Sequence, residues 1–68
     1  MKNNIRVERA ILRISQQELA NIIGVTRQTI NAIELEKYTP SAVLIMKIAF
    51  ICNKKVEDIF SLEDKDWE

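Results

Sequence analysis

Arg27, Gln28 and Asn31, with the small Ala32 beside them, are the side chains of this 68-residue sequence best suited to chemistry with another molecule. A guanidinium can donate twice to guanine O6 and N7. A carboxamide can donate to and accept from adenine N7 and N6, and an alanine methyl can lie against a thymine methyl. Each good bidentate pair discriminates by about 1–3 kcal/mol. A polar trio on an arbitrary helix reads first as a solvated face, so the weight of the reading falls on the elements that hold these residues.

Catalytic chemistry finds little to work with. The sequence has no histidine, the commonest general base, and its one cysteine, Cys52, lies in an apolar helix where a small core residue is expected. Cys52 has no cysteine or histidine partners for a zinc site, and a single glycine leaves no phosphate-cradling loop. Glu57, Asp58 and the carboxylates after Ser61 lack the spacing of a metal-binding loop and read as a solvated face. No enzyme activity, cofactor, metal or small-molecule effector is expected.

The positioning elements are short helices. Ile5, Ala10, Ile11 and Leu12 mark the apolar side of a first helix over 4–12, with arginines outward. Ser15 reads as an N-cap whose capping box is completed by Glu18, opening a helix that ends near Ile23. Gly24 supplies the left-handed residue after it, and Thr26 caps a third helix reaching Leu35. Thr39-Pro40 looks like an N-cap followed by proline at the first helical position, opening a fourth helix to Cys52 that Asn53 closes. Residues 56–60 give a fifth. Beyond Ser61 an extended strand and a loose tail are both open.

Residues 16–35 therefore satisfy the demands of a helix-turn-helix. Two amphipathic helices are joined by a three-residue turn, with Ala20 small enough for close approach and Leu19, Ile22, Ile23, Val25, Ile30 and Ile33 directed to a common core. In such a motif the second helix enters the major groove with its N-terminal part at the bases. That position favours base contact over solvation for Arg27, Gln28 and Asn31.

The stretches Ser15-Gln16-Gln17-Glu18-Leu19-Ala20, Gly24-Val25-Thr26-Arg27-Gln28-Thr29-Ile30-Asn31 and Ile33-Glu34 resemble the Cro/repressor-type (XRE) helix-turn-helix family. Lys37-Tyr38, Pro40-Ser41, Lys47-Ile48-Ala49 and residues 56–60 are similar to its small stand-alone members, such as the cytolysin repressor group. The likeness runs over about residues 5–62. It implies an all-α, phage-repressor-like DNA-binding fold of five short helices, with room for a small terminal β-strand pair. It also implies a transcriptional regulator, most simply a repressor, acting on double-stranded DNA. Base contacts would come from Arg27, Gln28, Asn31 and Ala32. Sugar-phosphate contacts would come from Gln16, Gln17, Thr26, Thr29, Lys37 and Tyr38, setting register without carrying sequence information. The sequence departs from the family at Leu35-Glu36, where many members carry asparagine, glycine or another small polar pair.

The second half carries more apolar surface than one core needs. From Ala42 to Cys52 only Lys47 is polar. Ile45, Ile48, Ala49 and Cys52 make one stripe, and Val43, Met46 and Phe50 make a second that points elsewhere. Contiguous apolar surface of this kind marks an interface. Phe50, Ile51, Val56, Ile59, Phe60 and Leu62 are the candidate contacts of a homodimer, whose two recognition helices would enter successive major grooves about 34–36 Å apart on an inverted repeat. Residues 1–62 are expected as the DNA-binding domain with its dimerisation part, and 63–68 as an acidic tail.

Net charge is zero, but its distribution is uneven: residues 1–37 hold six basic and four acidic groups, and residues 38–68 hold four and six. Zero net charge and Glu36 favour a competing reading, a protein-interaction module such as an antitoxin-like or anti-regulator domain that leaves its DNA face unused. No apolar run approaches the ~18 residues of a membrane span, and the first twenty residues are charged throughout. With a lone cysteine, this points to the cytoplasm.

Overall fold

The computed structural model describes residues 1–68. Five helices, α1 (Ile5–Leu12), α2 (Gln16–Ile23), α3 (Arg27–Glu34), α4 (Ala42–Cys52) and α5 (Val56–Ile59), are accompanied by two short strands, β1 (Lys2–Asn3) and β2 (Phe60–Ser61), and a final 3-10 turn, Asp64–Trp67. The strands pair antiparallel, Lys2 with Ser61 and Asn3 with Phe60. The all-α architecture with a small terminal strand pair is as the sequence predicts.

Local chemistry sets most of the helix ends. At α2 the Ser15 hydroxyl accepts from the Glu18 amide at 3.0 Å while the Glu18 carboxylate accepts from the Ser15 amide at 2.9 Å, so both halves of the capping box form. Thr26 caps α3 by accepting from the Thr29 amide at 3.2 Å. Gly24 closes α2 at φ +80 with nothing near its missing Cβ. A Gly24→Ala change therefore meets no clash and carries only the strain of a left-handed alanine. It should destabilise the domain by about 1–2 kcal/mol, read as a lower urea midpoint with an unchanged slope.

Three further chain reversals use left-handed residues with side chains, Arg13 (φ 59), Glu36 (φ 62) and Asn53 (φ 54). Each turn is closed by a pair of amides returning to the preceding helix; after α3 these run from Glu36 to the Ile33 carbonyl at 3.0 Å and from Lys37 to the Ala32 carbonyl at 2.9 Å. The turn after α3 thus needs a left-handed residue, a place that suits glycine or asparagine, and Glu36 meets that requirement with some strain.

Helix α4 begins two residues later than the sequence suggests. Ser41, not Thr39, is the cap, and it accepts from the Leu44 amide at 3.2 Å. Pro40 is buried just ahead of it. The chain beyond Ser61 is neither a long strand nor loose: Glu63 and Asp66 lie 3.2 and 3.1 Å from the Met1 ammonium.

The core is formed by Ile5, Leu19, Ile30, Ile33 and Ile48, one or two from each of the first four helices, joined by Ala20, Ile23, Ala49, Cys52, Ile59 and Phe60. Each fully buried isoleucine or leucine contributes about 1.5–3 kcal/mol. Two expectations change. Ile22 is 53% exposed, because α2 turns Leu19, Ala20 and Ile23 inward instead. On α1 the inner side is not the Ala10-Ile11-Leu12 cluster but Ile5, Glu8 and Arg9, and Ile11 faces water. The spacing is still helical. The charged residues are tolerated inside because each has a partner: Lys54 donates to Glu8 at 2.9 Å, and Arg9 meets Glu34.

Candidate nucleic-acid interface

Helix α3 packs on α2 through Ile30 and Ile33, and this phase turns Arg27, Gln28 and Asn31 outward; all three are exposed, and Ala32 is half-buried at the edge of the same face. Of the residues expected at phosphates, Gln17, Thr26, Lys37 and Tyr38 are exposed, while Gln16 and Thr29 are half-buried. Gln17 is turned along its own helix and donates to Asn21 at 2.9 Å. The hydroxyls of Thr26 and Thr29 lie 3.0 Å apart. Of the expected base and phosphate residues, a direct hydrogen bond between α2 and α3 joins only Gln16 and Asn31.

A buried ion pair underlies this face. The Glu34 side chain is 2% exposed and accepts from Arg9 twice, Nε to Oε2 at 2.6 Å and Nη2 to Oε1 at 3.1 Å. Arg9 spends its remaining reach on the Ile14 carbonyl at 3.2 Å, and Gln16 Nε2 donates to Glu34 Oε1 at 3.0 Å. One carboxylate thus ties α1, the α1–α2 turn and α2 to the last turn of α3. Burial by itself would push Glu34 upward. The hydrogen bonds from Arg9 and Gln16, with the charges of Arg9 and the more distant Arg6, outweigh it and hold the carboxyl below its usual range. The end of α3 is secured once more by Asn3, whose Nδ2 donates to the Ile33 carbonyl at 2.8 Å.

Arg9 is absent from the expected site because reading charges as solvent-facing hides it. Its position one turn after Ile5, and that of Glu34 one turn after Ile30, place both on inward faces, which is the signal that would have found them. Cys52 behaves as expected of a core residue: burial, reinforced by the Glu8 carboxylate, pushes its thiol up and away from nucleophilic use.

The candidate dimer residues separate into two groups. Phe50 is 81% and Leu62 60% exposed, and Ile51 and Val56 are half-buried. Ile59 and Phe60 are instead core residues, 3% and 6% exposed, because α5 folds onto the domain and Phe60 continues into the strand opposite Asn3. They are unavailable as surface contacts. Around Phe50 the apolar surface extends over Val43 and Met46 to the exposed Ile22.

A short turn between α2 and α3, a buried polar brace and an outward polar face define a helix-turn-helix domain, and the chain belongs to the XRE-type helix-turn-helix family of transcriptional regulators. The helix-turn-helix family profile matches residues 5–59. The chain is 48% identical over 66 residues to an uncharacterised HTH-type transcriptional regulator of Methanocaldococcus jannaschii, covering 97% of this chain and 100% of that protein. It is 44% identical over 66 residues to one from Bacillus subtilis, with the same coverage. A third, from Archaeoglobus fulgidus, is 44% identical over 69 residues, covering 100% of this chain and 97% of that protein. No helix is long and apolar enough to cross a membrane.

Proposed function

We propose that the protein is a cytoplasmic, sequence-specific DNA-binding repressor that acts as a homodimer on an inverted-repeat operator, with α3 in the major groove. The observation that carries this reading is the outward set Arg27, Gln28 and Asn31 on a helix whose inner side is locked by Glu34. Arg27, Gln28, Asn31 and Ala32 contact base edges. Gln17, Thr26, Thr29, Lys37 and Tyr38 hold the sugar-phosphate backbone on either side, and Gln16, whose amide nitrogen is engaged by Glu34 and Asn31, braces α3 instead. Residues 1–62 form the working domain, closed by the acidic segment 63–68. Titrating the protein against its own promoter region in a mobility-shift assay tests the reading: a discrete complex competed by the specific duplex alone supports it, and absence of binding at low as well as high salt overturns it. The latter result would favour a protein-interaction module.

The dimer is built on Phe50 and Leu62, with Ile51 and Val56 at the margin. A Phe50→Glu change removes a large exposed apolar group and places two like charges across the two-fold axis. Sedimentation should show a monomer with an unaltered circular-dichroism spectrum. A variant that remains dimeric would place the interface elsewhere.

A further inference from the structure

Gln16 stands between a group that can only accept and a group that can do either. Arg9 keeps Glu34 ionised, and an ionised carboxylate offers no donor. Gln16 must therefore turn its amide nitrogen to Glu34, as it does at 3.0 Å. The second hydrogen of that nitrogen is directed to Asn31 Oδ1 at 3.2 Å. An N–H can be met only by oxygen, so the Asn31 carboxamide has its oxygen turned toward α2 and its Nδ2, with both hydrogens free, turned away.

Resting on the DNA-binding reading above, we propose that Gln16 is a positioning residue for sequence recognition: relaying the polarity of Glu34, it fixes Asn31 as a donor, so that Asn31 selects guanine and not adenine. Guanine presents two acceptors, O6 and N7, in the major groove. Adenine pairs its N7 acceptor with an N6 donor, which needs the carboxamide oxygen that Gln16 holds. This role differs from a phosphate contact. It acts on a single base pair and not uniformly across sequences.

The experiment is selection from a randomised duplex library with wild-type protein, Asn31→Ala, Gln16→Met and Asn31→Asp, with circular dichroism verifying that each variant is folded. The position whose preference vanishes in Asn31→Ala is the one Asn31 reads. In the wild type it should carry a G·C pair, preferred about tenfold over A·T. Gln16→Met, which frees the carboxamide to turn, should reduce that preference to about twofold at this position and leave the others unchanged. Asn31→Asp keeps the Gln16 bond but presents only acceptors, so cytosine, with its N4 donor, should move to the strand guanine occupied. An A·T preference in the wild type, an unaltered pattern in Gln16→Met, or guanine retained on the same strand in Asn31→Asp would each overturn the proposal. A wild-type protein that enriches no sequence would overturn the DNA-binding reading itself.

Discussion

An Arg9→Ala variant is expected to be largely unfolded at ambient temperature. Glu34 would keep its burial and lose its ion-pair partner, and removing one member of a buried pair costs about 3–5 kcal/mol. A domain of this length holds a total stability of similar size. Circular dichroism with thermal melting reads the result, and a melting temperature within a few degrees of wild type would contradict it. Adding Glu34→Leu to Arg9→Ala should restore most of the stability, because the stranded carboxylate is then gone.

Acid titration provides a second readout of the same pair. Since the folded-state value of Glu34 lies below its ordinary 4.5, the stability it contributes is complete above that pH and is lost as the pH falls through the folded value. In Arg9→Ala burial is left unopposed by its strongest counterweight, so any folded fraction should gain, not lose, on mild acidification.

The second large effect is on binding. In Arg27→Ala the proposed base-edge contact, worth about 1–3 kcal/mol, is removed, and the proposed dimer carries the substitution twice, giving about 2–6 kcal/mol, or roughly a 30-fold weaker specific complex at the low end. Gln28→Ala should behave similarly. Lys37→Ala provides the contrast: loss of its proposed phosphate contact should weaken specific and random duplex alike and reduce the slope of log affinity against log salt by about one per protomer. If Arg27→Ala lowered both duplexes equally, Arg27 would belong with the backbone contacts.

The elements legible in the sequence are those whose signals are local. Ser15 with Glu18, Gly24, Thr26 and Asn53 mark helix ends through bonds that span only a few residues, and each lies where expected. Helical phase on α3 likewise separates Ile30 and Ile33 from Arg27, Gln28 and Asn31. Ser41 is obscured in the sequence because two capping residues flank one proline; in the structure it is the Ser41 hydroxyl that accepts from the Leu44 amide.

The partners of the inward charges lie beyond any local pattern. Glu8 and Lys54 are separated by 46 residues and Arg9 and Glu34 by 25, so helical phase can turn Glu8, Arg9 and Glu34 inward but cannot say which group each one meets. The same holds for Gln16 and Asn31, 15 residues apart on crossing helices, whose link turns two separately plausible contact residues into one oriented unit. Ile59 and Phe60 look like surface in the sequence because α5 is too short to reveal which of its sides folds inward.

The pairing of β1 with β2 also constrains the order in which the domain can be completed during synthesis. Asn3 braces the carbonyl of Ile33 at the end of α3, yet the strand holding Asn3 acquires its partner only at Phe60 and Ser61. The backbone bonds of the helices join near neighbours, whereas this ladder joins residues 2–3 to residues 60–61. A ribosome-bound chain still lacking residues 60–61 can therefore carry a formed helix-turn-helix whose recognition helix is not yet fully braced at its far end.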